Sequence, residues 1–407
     1  MRVELVSSAE QLRALVPGGE SVRRAVEDIV AGVRAGGDDA LREYVAKFDG
    51  YVGDLHVGAD RLDAAAAALR DDVRAGIEMA MANVAAVAGA SLGDDAELDL
   101  PQGQRIHVRE LPVRRAAIYV PGGRNPYPST VVMGAVTARV AGVEEIVVCA
   151  PGAHEVILGA CALCGVDEVY AMGGAQAVAA LAFGTDSIPR VDVIAGPGSL
   201  YVQEAKRLVF GEVGIDGFLG PSDLVVLASG DADAALVALD LAAQAEHGDG
   251  TIVALVSPDD ALREAVAAAL ADRPDTGAVA AVVAVEDEAA GAVVCDAFAP
   301  EHLSLQGAAA EALAARPWQA GCVFVGGSGA VAFGDYVVGS NHSLPTGGAA
   351  RFASALSPRA FRRRMAEVRV GDAAPALARS GAPVARAEGF RVHADSMEAR
   401  VRENGAP

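Results

Sequence analysis

Aromatic residues make up only 4% of this 407-residue sequence, with a single tryptophan. No apolar run approaches the roughly 20 residues needed to span a bilayer, so no membrane-crossing helix is expected. Positive charge is also scarce: 33 lysines and arginines stand against 54 aspartates and glutamates, a formal net charge of −21. Such a surface disfavours nucleic acid and anionic membranes, because acidic side chains cannot displace their counterions. An anionic dinucleotide can still bind where backbone N–H groups and helix N-termini face it. Acidity on this scale reflects the host's habitat as readily as a partner.

Cysteine is sparse and odd in number: Cys149, Cys161, Cys164, Cys295 and Cys322. Cys161 and Cys164 form a C-x-x-C in an apolar, helix-like stretch, with no second pair to complete a zinc knuckle. We read them as buried thiols. The opening Met1-Arg2-Val3-Glu4 lacks a basic segment followed by an apolar one, so no secretory signal is expected and the cytoplasm is the expected compartment. No G-x-x-x-x-G-K-[ST] occurs. Gly196-Pro197-Gly198 opens like a dinucleotide fingerprint, but its third glycine position is Tyr201.

What is plentiful is small apolar side chains: the sequence is 52% hydrophobic and holds 46 glycines. Helical spacing marks Ser21–Ala35, stopping at Gly36-Gly37, then a helix from Asp38 to about Phe48, and a long one over Asp60–Ala90. Residues 94–111 carry hairpin-like alternation. From Val113, short apolar strands alternate with helices of about ten residues, which predicts parallel sheets with crossover helices. A second round starts at Leu224.

The expected fold class is therefore α/β: two successive, incomplete Rossmann-like domains with parallel-sheet character, a helical N-terminal region and a C-terminal helical arm. Residues 1–112 would form the helical region, packing on the second α/β domain. Residues 113–222 and 223–357 would form the two domains, and residues 358–407 the arm.

Several polar clusters interrupt this pattern. Gln244 and His247 are i, i+3 at the end of a predicted helix that stops at Gly248, so they share a face. Imidazole is a good zinc ligand, yet taken alone His247 reads first as a histidine facing the helix dipole. Glu301-His302 follows Pro300, and adjacent residues of extended chain point opposite ways, which suits two proton acceptors on two sides of one substrate. A solvated loop pair is the plain alternative. Asp335 and His342 lie in a glycine-punctuated loop after a buried strand, where ligand groups collect in open α/β sheets. Glu388 and His393 lie five apart near the C-terminus.

In order along the chain, these clusters resemble the histidinol dehydrogenase family, over nearly the whole sequence. The same order holds Glu43-Tyr44-Val45-Ala46-Lys47-Phe48-Asp49, Tyr119-Val120-Pro121-Gly122-Gly123, Gly173-Gly174-Ala175-Gln176-Ala177, Gly196-Pro197-Gly198 and Gly220-Pro221-Ser222. The resemblance implies one zinc ion per subunit, held by Gln244, His247, Asp335 and His393. It implies Glu301 and His302 as proton acceptors. Substrate contacts fall on Ser222, His302 and Glu388 together with the metal ligands. NAD contacts fall on Tyr119, Gln176 and Ser199, where the family usually has asparagine at the last position. Asp223 likewise stands where glutamate is usual.

The implied reaction is the four-electron oxidation of L-histidinol, through L-histidinaldehyde, to L-histidine. The implied assembly is a homodimer whose exchanged arms deliver Glu388 and His393 to the partner's site. The alternative is a zinc and NAD dehydrogenase of the same fold acting on another alcohol, such as a sulfonated diol.

Overall fold

The computed structural model describes residues 1, 3–16, 21–122 and 125–401. Arg2 and Gly123, both within segments quoted above, lie outside the described residues. The chain divides into two compact units. The first comprises Met1–Ser91 and Val113–Phe361, the second Leu92–Pro112 and the chain from Arg362 onward.

The first unit contains two parallel sheets. One has five strands in the spatial order Glu168–Tyr170, Glu145–Cys149, Arg115–Tyr119, Val193–Ala195, Gly214–Ile215. Strand order therefore reverses between Arg115–Tyr119 and Val193–Ala195, which leaves a crevice beyond their carboxyl ends. Alternate residues supply the two faces. Ala116, Ile118, Ile146 and Val148 join one core, whereas Ala117, Tyr119, Val147 and Cys149 join the other. A strand buried on both faces needs this unbroken apolar run.

Three of the N-terminal helices cover this first sheet. Arg23–Phe48 packs in one core with Gly174–Phe183, and Ala59–Ala68 with Asp71–Ala90 packs in the other. For these three helices the expected docking on the second α/β domain is corrected, whereas Val3–Val6 and helix Ala9–Arg13 do pack on the second sheet. Backbone bonds from Val57 N–H to Val169 and from Ala171 N–H to Leu55 (2.9 and 2.7 Å) tie the segment between the helices to the first sheet's edge. Gly37 breaks the first rod at φ +54°, and extended backbone at Leu69 and Arg70 divides what the periodicity read as one long helix.

The other sheet has six strands in the order Val3–Val6, Val279–Ala284, Ile252–Ser257, Asp223–Ala228, His302–Gln306, Cys322–Val325. All pair in parallel. Its edge strand Val3–Val6 comes from the stretch expected to be mainly helical. Helix Ala234–Ala245, capped by Asp233, lays Val237, Leu241 and Ala245 on one face of this sheet. It runs antiparallel to the strands, so its end at Gln244 and Ala245 arrives beside their amino ends.

The second unit is an antiparallel sheet, Arg362–Arg369 against Arg105–Pro112 against Ala96–Asp99. Helices Ala374–Ala387 and Arg391–Ala399 follow it and pack through Ala382, Ala385 and Ala394. The expected hairpin is present. The tail is a strand before it is a helical arm, because Arg362–Arg369 adds itself to that hairpin. Among the described residues no helix is long and apolar enough to cross a membrane. Cys161 and Cys164 are buried free thiols, and burial pushes the Cys164 thiol up to about 12.

Candidate active site

The two sheets of the first unit present opposite edges to one cleft of about 260 Å³. The first sheet offers its carboxyl edge: Pro121 follows the first crevice strand, and Pro197, Gly198 and Ser199 follow the second. The second sheet offers its amino edge, with Ser222 before one strand and Glu301-His302 at the entry to another. Asp335 lies on helix Ala332–Tyr336, one carboxylate oxygen 4.0 Å from His302 Nε2, so the chain beyond Cys322–Val325 has returned to that same edge. The carboxyl-end rule thus describes the wall formed by Pro121 and Pro197–Ser199 but not the Glu301–His302 side.

Ala299 fixes how Glu301 and His302 enter the sheet. It ends helix Glu288–Phe298 in a left-handed conformation, φ +50°, which non-glycine residues rarely adopt. Pro300 follows, and His302 then starts a strand already paired with Leu224 and Cys322.

Glu301 is 5% exposed, and its carboxylate accepts hydrogen bonds from the Ser222 hydroxyl and from Asp223 N–H (3.0 Å). The Gln244 side-chain amide donates to the same Ser222 oxygen. Burial, then the Asp223 charge, raise the Glu301 pKa well above the ordinary carboxyl value. His302 is 2% exposed, and its Nδ1 lies 3.4 Å from the Asp223 carbonyl oxygen. With Nδ1–H donating there, Nε2 keeps its lone pair on the Asp335 side. Burial lowers the His302 pKa to about 3, so the imidazole is neutral.

The donors implied for a metal are unequally assembled. His247 and Asp335 both line the cleft, and Gln244 is buried beside it, bonded through Ser222. Burial alone pushes the Asp335 carboxyl to about 7, and burial lowers the His247 pKa. An uncompensated buried carboxylate and a neutral imidazole suit a divalent cation. Among the described residues, however, no three His, Cys, Asp or Glu side chains converge on one metal position. His393 and Glu388 belong to the second unit, where both are exposed.

Of the residues implied for NAD, Ser199 lines the cleft. Tyr119 and Gln176 are 3% and 1% exposed and are absent from its lining. The Tyr119 hydroxyl accepts from Gly174 N–H at 2.9 Å, and the Gln176 amide lies 3.4 Å from both Asp49 oxygens. The sequence reading passed over Asp249 and Tyr336, which line the cleft, and gave His342 no role beyond its loop. Burial holds the His342 pKa down at about 4. Nothing in local spacing distinguishes these positions; Tyr336 and His342 come to the cleft with the return of helix Ala332–Tyr336 to the amino edge, and Asp249 with the turn after helix Ala234–Ala245.

The family model for histidinol dehydrogenase matches residues 17–401. A histidinol dehydrogenase of Parasynechococcus marenigrum is 40% identical over 400 residues, covering 94% of this chain and 92% of its own. One from Pseudomonas aeruginosa is 39% identical over 402 residues, covering 94% and 91%. The crystal structure of histidinol dehydrogenase from Elizabethkingia anophelis superposes with a TM-score of 0.90 at 28% identity, covering 100% of this chain and 99% of that one. By these matches in sequence and fold, the chain belongs to the histidinol dehydrogenase family of oxidoreductases.

Proposed function

We propose that the chain oxidises L-histidinol to L-histidine through the bound aldehyde, with NAD as oxidant and zinc as the anchoring metal. The observation that carries this reading is the division of labour within Glu301-His302. One carboxylate is clamped by Ser222 and Asp223, and one neutral imidazole turns Nε2 toward Asp335.

In the first oxidation His302 Nε2 takes the hydroxyl proton as the carbinol carbon gives up hydride. In the second, Glu301 takes a proton from the water that adds to the aldehyde carbonyl. Its raised pKa makes it a stronger base than a solvated carboxylate. The hydrated carbon then gives up a second hydride. NAD, when bound, accepts one hydride per oxidation, so two molecules are consumed per substrate. Zinc, when bound by Gln244, His247, Asp335 and His393, supplies a Lewis-acid anchor for the substrate's nitrogens. His393 and Glu388 would come from a second copy through an exchanged arm, making the homodimer the active form, in the cytoplasm.

Cleft charge favours an amino alcohol over a sulfonated diol. The described lining residues include Asp249, Glu301 and Asp335 and no lysine or arginine, so a sulfonate would meet repulsion and an ammonium attraction. The test is NADH yield per L-histidinol at completion, with and without a chelator. Two NADH, abolished by chelation and restored by zinc, are expected. A yield of one removes the aldehyde-to-acid step, and indifference to chelation removes the metal.

A further inference from the structure

The two charges buried most deeply near the cleft take no part in that mechanism. Lys206 and Asp216 form an ion pair with side chains 0% and 1% exposed. Lys206 comes from helix Leu200–Val209, and Asp216 directly follows strand Gly214–Ile215. They meet at one residue, Gly196. Its N–H donates to the Asp216 carboxylate at 2.7 Å, and its carbonyl accepts from Lys206 Nζ at 3.0 Å.

Gly196 has little room to relax. Its φ is +126°, and a Cβ there would fall 2.1 Å from the Tyr119 carbonyl oxygen. The turn therefore rests directly on the neighbouring crevice strand, at the point where strand order reverses. Pro197, Gly198 and Ser199, the next three residues, form the cleft wall on that side. Gly198 N–H is held by the Leu219 carbonyl at 3.3 Å, only a few residues beyond Asp216. A buried ion pair is a poor source of stability, since apolar side chains of similar volume commonly serve as well or better. A pair whose two ends grip the two polar groups of one glycine has a different use: it fixes a backbone position.

We propose that Lys206 and Asp216 are positioning residues for the dinucleotide, acting through Gly196 to hold the Gly196–Ser199 turn in its binding geometry. The inference rests on the NAD reading above. Neither side chain reaches the cleft lining, so the pair sets affinity for the dinucleotide and leaves proton transfer at His302 and Glu301 alone.

The test compares full-length wild type with K206M/D216L, which removes both charges without stranding one, and with D216N, which keeps an acceptor for Gly196 N–H. The readouts are NAD dissociation constant by calorimetry, amide hydrogen exchange over residues 196–199, and separate KM values for NAD and L-histidinol. For the double variant we expect faster exchange over 196–199 and about a tenfold rise in both NAD constants, the loss anticipated when a preformed site becomes mobile. KM for L-histidinol and kcat at saturating NAD stay within about twofold, and D216N, which keeps the Gly196 N–H acceptor but leaves the Lys206 ammonium without its counter-charge, also raises both NAD constants. Unchanged NAD affinity in a folded double variant overturns the proposal, as does an equal loss toward both substrates. Should the double variant fail to fold, unaltered NAD affinity and unaltered exchange in D216N overturn it instead. Failure of the wild type itself to bind NAD overturns the cofactor reading, a result separable from either.

Discussion

Asp223 and Glu301 hold each other reciprocally across adjacent strands. The Asp223 N–H donates to the Glu301 carboxylate at 3.0 Å, and the Glu301 N–H donates to the Asp223 carboxylate at 2.6 Å. Two acids thus lie side by side in the core, and burial raises both, Asp223 to about 6. Asp223 also carries, on its own carbonyl, the position of His302 Nδ1. One residue beyond the cleft floor therefore orients both Glu301 and His302. Aspartate where the family usually has glutamate is accommodated, since this shorter side chain reaches the Glu301 N–H.

That reciprocity predicts the behaviour of Asp223 variants. D223A leaves the buried Glu301 N–H without its acceptor, and we expect a loss of about 1–3 kcal/mol in urea unfolding. D223N retains an oxygen acceptor and should lose less than half as much. Equal stability of D223A and wild type would show that the Glu301 backbone is held by the sheet alone.

The division of labour proposed for Glu301-His302 predicts unequal variants. E301Q should slow oxidation of supplied aldehyde about a hundredfold or more while sparing the alcohol step, because only the former needs an activated water. H302Q should slow NADH formation from the alcohol by a similar factor. Stopped-flow NADH traces from each starting material distinguish them. Identical losses at both steps in E301Q would place Glu301 in binding and not in water activation.

How much of this was legible beforehand follows from where each signal resides. The strand–helix alternation from Arg115 onward is a local property of apolar runs, and the fold shows it, with the second round starting at Asp223–Ala228. The docking of the N-terminal helices is a long-range choice between two apolar sheets, to which helical periodicity is blind. The cleft residues His247, Glu301, His302 and Asp335 stand out in the sequence because polar groups interrupt apolar stretches there, whereas Ser222 enters only through the family resemblance. Lys206 and Asp216 did not stand out, since Glu204-Ala205-Lys206-Arg207 reads as the solvated face of a helix. Only the fold reveals that Lys206 points inward while Arg207 bonds Glu204.

Burial of His302 also predicts a pH dependence of stability. Its pKa in the fold is about 3, against 6.5 when unperturbed, so the unfolded chain binds the proton more tightly. The stability contributed by the neutral imidazole is whole above pH 6.5 and drains away as pH falls from 6.5 toward 3. At the limiting slope this amounts to about 2 kcal/mol between pH 6.5 and 5. Urea unfolding of metal-free wild type and H302Q should therefore show wild type losing ground by about that amount on acidification, relative to the variant. Parallel pH profiles for the two proteins would mean that His302 reaches solvent in the metal-free chain.

A last prediction concerns the loop that carries His342. The crossover between the first two strands of the first sheet contains a π-helical turn, Val132–Val136, with every residue buried. An inserted residue of this kind frees a backbone carbonyl from ordinary helical pairing. Here the Met133 oxygen accepts instead from the Thr137 hydroxyl at 2.6 Å and from the Asn341 side-chain amide at 3.0 Å. The Asn341 oxygen meanwhile accepts from Ser343 N–H at 2.9 Å, so both neighbours of His342 are pinned by one amide. N341A removes both ties, whereas N341D keeps an acceptor for Ser343 but has no donor for Met133. We expect N341A to lose about 1–3 kcal/mol of stability together with Ser343 amide protection against exchange. N341D should keep that protection while losing the tie to the π turn. If Ser343 exchanges equally slowly in both variants, the loop is held by its own backbone and the π turn has no part in placing His342.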